Sequence, residues 1–430
     1  MPPRRARGPA SPAVMGPKFG ARPAEKGVCR WGRIRGAWAL GRMKRESNIL
    51  LGTVLCLLAL GVVMVYSSSA TMAAELARFG GDPCFFLKRQ ALWAAIALSV
   101  LLLFARVDYA RWRRWAFPVL LTVAVLLVLV LVPAIGRRAN GARRWLSLGG
   151  LNFQPSELAK IAVLLYASAY AAAGADRFAS FWRGFLPGFA ALGVVCGLVI
   201  CEPDVGTALF LGGIGTAVFL AGGARWRHVL GIGGAAVAAA GGLFISRLDY
   251  VVQRVAVFLD PSIDPLGRGH HLLQSQIAMG SGGLFGVGLG QSQLKLFYLP
   301  ERHTDFIFAI VGEELGFLGA LAVVLAFALL LACGWRICRR APDRFGALLA
   351  FGALMAIVGQ AAVNMAVVTG LLPTKGIALP FVSYGGSSLV SAAAAAGLLL
   401  SVSRAAVEAP PAEAEAVEYP AALDPLAAEA

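Results

Sequence analysis

An all-α polytopic membrane bundle is what this sequence predicts, and three observations carry that expectation. Hydrophobic residues make up 58% of the 430-residue chain and charged residues only 14%, with a mean hydropathy of +0.72. A soluble domain carries about 25% charged residues on its surface, so this chain cannot be wetted as a globule of its size. Apolar runs of roughly 20 residues, each long enough to cross about 30 Å of hydrocarbon, recur along the sequence, and helices are the structures that satisfy their own backbone there. Finally, Lys and Arg concentrate in alternate short loops, the pattern of cytoplasmic retention.

The elements follow in order. Residues 1–47 form a basic arm with twelve Lys and Arg against Glu25 and Glu46. It is expected to be disordered, to stay in the cytoplasm and to be drawn to anionic lipid; Met15 and Met43 are alternative starts. It lacks the apolar core and cleavage site of a signal peptide, and no aromatic-interleaved basic module follows that would suit nucleic acid. Ten spans are expected, at 48–68, 88–105, 115–133, 156–173, 185–201, 205–221, 228–246, 305–333, 345–370 and 381–403. Glu202-Pro203-Asp204 breaks the fifth from the sixth as a tight hairpin, and a large outer loop, 247–304, separates the seventh from the eighth. Residues 404–430, rich in Ala, Pro and Glu, are expected to be a disordered acidic tail in the cytoplasm. The seven cysteines show no CxxC spacing and read as small apolar residues rather than a disulfide or metal framework.

With the N-terminus inside, the inner loops carry Arg106, Arg111, Arg113 and Arg114; Arg177 and Arg183; Arg225 and Arg227; then Arg336, Arg339, Arg340 and Arg344. Two outer loops break the rule. Residues 134–155 place Arg137, Arg138, Arg143 and Arg144 outside, and 247–304 adds Arg247, Arg254, Arg268, Lys295 and Arg302. Long loops cross regardless of charge, which excuses the second loop but not the short first one. An outer cluster built for an anionic ligand accounts for both.

Polar residues at membrane depth are the candidates for chemistry. Glu157 and Lys160 open the fourth span three residues apart and share a helix face; they suit a buried ion pair as well as a substrate path. Asp305 opens the eighth span beside His303, where it suits a helix cap and equally a carboxylate that accepts a proton. The glycine-rich stretch 280–290 has neither the strand nor the spacing of a nucleotide loop; its glycines suit a re-entrant or interfacial turn packed against a ligand or helix. The four histidines form no zinc pattern, and no serine-nucleophile motif is present. In the stretch 369–388, Lys375 with Ser383, Gly385 and Gly386 suits an anionic head group.

These residues resemble a known family. TGLLPTKGIALPFVSYGGSS (369–388), RVAVFLDPSIDPLGRGHHLLQSQIAMGSGG (254–283), KLFYLPERHTDFIFAIVGEELG (295–316), RRWLSLGGLNFQPSELAK (143–160) and EPDVGTAL (202–209) are similar to the signatures of the SEDS proteins, the family of FtsW, RodA and SpoVE. The resemblance spans roughly 48–403. It implies a ten-helix bundle and peptidoglycan glycosyltransfer, the polymerisation of lipid II at the outer face of the bacterial inner membrane. It also implies that the family's essential aspartate falls on Asp305, against the cap reading. The family's positions further map onto Arg144, Trp145, Gln154, Glu157 and Lys160, and its loop lysine onto Lys375. Pro373-Thr374-Lys375-Gly376 resembles the division branch, FtsW; an elongation polymerase of the RodA kind is the near alternative.

The implied mechanism makes Asp305 the base for the acceptor sugar's 4-hydroxyl, with Arg144, Lys160, Lys375 and Arg254 neutralising the departing diphosphate. A divalent cation, Mg2+ or Mn2+, could share that role, although no carboxylate cage is legible. The partner implied is a single-span class B penicillin-binding protein, an FtsI-like transpeptidase, with other division proteins around it at the septum. A lipid II flippase and a non-catalytic scaffold are the readings from other classes. Lipid II supplied only at the outer face separates polymerase from flippase, and the effect of Asp305 substitutions in cells separates either from a scaffold.

Overall fold

The computed structural model describes residues 28–76, 80–139, 142–148, 151–174, 177–178, 180–234, 256–265, 267, 269–292 and 303–408. The chain clusters into two units, Met1–Gly41 and Arg42–Ala430, and the second holds everything discussed below. Its helices are α1 (Val28–Glu75, which enters this unit at Arg42), α2 (Phe85–Arg106), α3 (Tyr109–Leu131), α4 (Pro155–Ala171), α5 (Leu186–Cys201), α6 (Val205–Ala221), α7 (His270–Ser281), α8 (Ile307–Glu314), α9 (Gly316–Arg339), α10 (Arg344–Leu354), α11 (Gln360–Val368) and α12 (Gly386–Glu408). A π-turn at Phe181–Phe185 leads into α5, and another at Met355–Gly359 joins α10 to α11.

Local chemistry sets the helix starts. Asp108, Asp204 and Asp343 each accept a backbone N–H of the first turn, from Ala110, Thr207 and Gly346. Each satisfies a donor that the helix leaves open and meets the positive end of its dipole. Pro155 occupies the first position of α4, where its missing N–H costs nothing.

Among the described residues, seven helical stretches are long and apolar enough to cross a membrane: Met43–Glu75, Phe85–Arg106, Tyr109–Leu131, Phe181–Cys201, Gly316–Arg339, Arg344–Val368 and Gly386–Glu408. Of the other expected spans, α4 and α6 are shorter helices of 17 residues. The seventh is helical over 226–234, and its remainder lies outside the described residues, so the tally of ten stays an expectation. α1 is helical from Val28 and α12 to Glu408, so the boundaries expected at 47 and 404 are not helix ends. Residues 1–27 and 409–430 lie outside the description.

α4, α10–α11 and α12 form the interior. α12 runs along α2, and Gly397 lets the two approach until a β-carbon there would press on Phe104 and the Leu101 carbonyl. The outer helices α3, α5 and α9 turn Phe117, Leu121, Val194, Phe317 and Leu325 outward, apolar surface that only lipid or another apolar partner covers. At the end where α1 enters, Glu46 is buried and paired with Arg340 at 3.3 Å and Arg336 at 3.8 Å. There too Tyr109 donates to Asp343 and Ser401 to the Val107 carbonyl.

Two features correct the sequence expectation. The stretch 134–155, expected as a short loop, carries β1 (Gly136–Ala139), β2 (Ala142–Leu148) and β3 (Leu151–Phe153) in an antiparallel sheet, so the fold has a small β element on its helical bundle. Arg137 pairs with Trp145, and Ser147 with Asn152. The eighth span is also broken, into α8 and α9, at Gly316. That residue has φ +70°, and a β-carbon there would overlap the Gly286 nitrogen. The carbonyls freed by the break do not go unpaired. Val287 N–H donates to Glu313 O and Gly288 N–H to Glu314 O, while Phe317 N–H and Leu318 N–H donate to Gly283 O and Leu284 O. The glycine-rich loop expected to be re-entrant therefore packs against a helix break.

Candidate functional site

Asp305 lies just before α8, whose N-cap position falls on Phe306 and has no side-chain cap hydrogen bond. The segment 303–305 is stitched to the 369–388 stretch. Tyr384 N–H donates to His303 O at 2.8 Å, Ser383 Oγ to Thr304 O at 2.7 Å, and Asn364 Nδ2 to both Asp305 O and Ile377 O at 2.7 Å. A β-carbon built on Gly376 would come within 3.1 Å of Asp305 Oδ2, so the carboxylate lies directly against the residue after Lys375.

A polar cavity of about 350 Å³ adjoins this segment. His303, Thr304 and Tyr384 form one wall, with Gly385 and Gly386 beside them; Arg89 and Trp93 of α2 form another; Arg137, Arg138, Trp145 and Asn152 of the sheet close the third. Three guanidinium groups around one cavity suit an anion with several oxygens, and the aromatic rings and the Asn152 amide suit sugar faces and hydroxyls. Gly386 has to be glycine here, because any side chain would overlap the Trp93 ring. Burial pushes the Tyr384 hydroxyl above its ordinary range, opposed by the charge and hydrogen bond of Arg89.

Lys375 lines a second space, an apolar groove of about 390 Å³ between α6 and α10–α11, floored by Gly206, Gly213 and Gly359 and walled by Phe210, Val363 and Val367. A β-carbon on Gly206 would stand 3.4 Å from Lys375 Cδ and 3.8 Å from Asp204 Oδ1, which places the lysine stem against the start of α6. Asp305 and Lys375 therefore belong to one constellation with two unlike spaces around it, one cationic and one apolar.

Several expected site residues have other work. Arg144 donates Nε to Glu202 O at 3.1 Å and Nη2 to Pro203 O, and pairs with Asp204 at 3.5 Å, so it ties β2 to the α5–α6 turn. Lys160 is buried, donating to Glu157 and to Gln360 at 2.7 Å each; the pair is an interior ion pair and not part of the polar cavity. Ser383 holds the loop to Thr304 and accepts from Leu379 N–H. Ser387 accepts from Gln154 N–H and Ser388 from Gln360. These hydroxyls brace the loop rather than forming an open nest of donors. Lys375, Gly385 and Gly386 do face the two spaces. Arg254 lies outside the described residues.

The sequence reading passed over Arg89, Trp93 and Tyr384, and with them Gln360 and Asn364. Glu202 is a further buried acid. Neither of its oxygens has a hydrogen bond, and burial together with the Asp204 charge pushes its carboxyl up to about 8 against the pull of Arg144.

The family of FtsW, RodA and SpoVE, described as cell cycle proteins, matches residues 48–408. The chain belongs to this family. Among its relatives, the probable peptidoglycan glycosyltransferase FtsW of Trichlorobacter lovleyi is 44% identical over 84% of this chain and 94% of that one. The stage V sporulation protein E of Bacillus subtilis is 43% identical over 84% and 98%. A chain of a peptidoglycan synthase complex, solved for its coordination of polymerization and crosslinking, superposes with a TM-score of 0.67 at 32% identity, covering 83% of this chain and 96% of that one. Like that neighbour, this family member is a polytopic helical membrane protein.

Proposed function

We propose that the chain is a peptidoglycan glycosyltransferase that polymerises lipid II at the outer face of the bacterial inner membrane during cell division. The observation that carries this is the position of Asp305, whose carboxylate abuts Gly376, while its neighbours His303 and Thr304 line a cationic, aromatic cavity and Lys375 lines an apolar groove. Identity to FtsW of 44% supports the division role over the elongation one.

A substrate carried on a long isoprenoid chain stays in the bilayer, held by about 0.8 kcal/mol per buried methylene, so it enters sideways and reacts at the membrane's rim. Asp305 takes the proton of the acceptor 4-hydroxyl as that oxygen attacks the anomeric carbon of the lipid-linked donor. The bond from that carbon to the diphosphate oxygen breaks, and the electron pair leaves with the lipid diphosphate. Lys375, as a point charge, and Arg137 and Arg138, as planar forks, offset the charge that develops, while Arg89 holds the diphosphate in the bound ground state. Among the described residues no group of three or more His, Cys, Asp or Glu side chains comes together as a metal site.

Crowding of Arg336, Arg340, Arg344 and Arg404 at the end of the bundle opposite the site supports cytoplasmic termini. The synthase-complex neighbour, in which polymerization is coordinated with crosslinking, supports pairing with a crosslinking transpeptidase. Polymerisation of lipid II by the purified chain, with and without that transpeptidase, tests the reading. Wild type should make glycan and Asp305→Asn should lower the rate by about 10²–10⁴; undiminished synthesis by a folded Asn variant would overturn it.

A further inference from the structure

The loop that carries Lys375 is gripped from below by two side chains of α11. Gln360 Nε2 donates to Ala378 O at 2.7 Å, and Asn364, one helical turn on, donates to Ile377 O at 2.7 Å. Consecutive carbonyls of the loop are thus held by residues spaced i, i+4 on one helix face. The π-turn Met355–Gly359 immediately precedes Gln360, and such a turn rotates the face that follows it. Gln360 is anchored in its own right, because its oxygen accepts from buried Lys160 at 2.7 Å.

Asn364 does something Gln360 does not. Its one amide nitrogen has two hydrogens, and the second goes to Asp305 O at 2.7 Å. A single buried side chain, 1% exposed, therefore bridges the backbone of the carboxylate residue and the backbone two residues beyond Lys375. Gly376, between them, is the residue that Asp305 Oδ2 lies against.

We propose that Asn364 is a positioning residue for glycosyl transfer: it fixes the Asp305 carboxylate relative to the Lys375–Ile377 segment, so that base and cation are presented to the reacting centre at one set separation. This rests on Asp305 being the base. The residue touches no substrate; it acts through the two backbones it joins. Because displacement of a reacting group by about 1 Å costs about 10²-fold in rate, loss of the bridge shows in turnover and not in substrate affinity.

Threonine and valine have nearly the same shape and differ by one hydroxyl donor, so Asn364→Thr and Asn364→Val separate donation from packing. In the full-length chain with its transpeptidase, lipid II polymerisation is measured per folded molecule alongside the melting midpoint. The expected result is a kcat about tenfold down for Thr and about 10²-fold down for Val. KM should stay within about twofold, and the two midpoints should agree within a degree or two. Wild-type kcat in the Val variant overturns the inference. So does equal loss in both variants, a KM that rises in step with the loss, or unfolding of both, which would assign Asn364 to the fold. Asp305→Asn run in parallel keeps the two claims apart. If it leaves the rate unchanged, the base assignment fails; if it abolishes the rate while Asn364→Val does not, only the bridge fails.

Discussion

Gly376 and Asp305 are in contact at the centre of the site, with Oδ2 of the carboxylate 3.1 Å from where a β-carbon on the glycine would stand. That distance is tighter than ordinary van der Waals contact, so a methyl group there must push the carboxylate aside by a few tenths of an ångström. Gly376→Ala should lower lipid II polymerisation about tenfold, less than the ~10²-fold cost of a full 1 Å displacement, with an unchanged melting midpoint. A wild-type rate in a folded Ala variant would mean the carboxylate has room to spare.

Arg89 offers the polar cavity a guanidinium from α2 and also bonds Tyr384. Arg89→Ala should raise the half-saturating lipid II concentration about tenfold, equivalent to about 1.4 kcal/mol, with a smaller change in kcat. Titration of lipid II against polymer formed reads the two apart. A fall in kcat alone would instead give Arg89 a role in the transition state.

Glu157→Ala should lower stability by about 3–5 kcal/mol, because it leaves the Lys160 ammonium in the interior without its carboxylate. Replacing both, as Glu157→Leu with Lys160→Met, should recover most of that loss, since a buried pair and a well-packed apolar pair are often equivalent. Thermal unfolding in detergent is the measurement. Equal losses in the single and double variants would show that the pair contributes more than packing.

Glu202 gives the stability a pH dependence of predictable sign. Its folded carboxyl stays protonated up to about 8, against about 4.5 for an ordinary glutamate. Between those values the folded chain holds a proton that the unfolded chain releases, so stability falls as pH rises through the window and levels off above it. Below about 4.5 the group makes no difference. Glu202→Gln should therefore gain in melting midpoint over wild type progressively from about pH 5 to pH 8. A constant offset across that range would place the titration elsewhere.

Much of the scaffold was legible because hydrocarbon imposes a simple rule on sequence. Within the described residues the apolar runs found their helices, and Glu157 and Lys160 met as their i, i+3 spacing required. What escaped was whatever depends on partners distant in the chain. The break at Gly316 exists because residues 283–288 supply the lost hydrogen bonds, and no periodicity within 305–333 signals that. The sheet has a local signal, the Asn140-Gly141 dipeptide between two basic, β-compatible runs, but the arginines of the same stretch read equally well as a charged loop. Gln360 and Asn364 are polar residues inside an apolar span, a pattern that marks function by default; they were missed because they carry no charge. Arg144 is a candidate through the outer arginine cluster and the family position it matches, whereas the α5–α6 turn takes up its donors.

The helix break has a mechanical corollary. α8 is only eight residues long, and at its inner end it leans on the inserted glycine loop instead of continuing into α9. The hydrogen bonds of Gly283–Gly288 thus help set where α8, and with it the residue just before it, comes to rest.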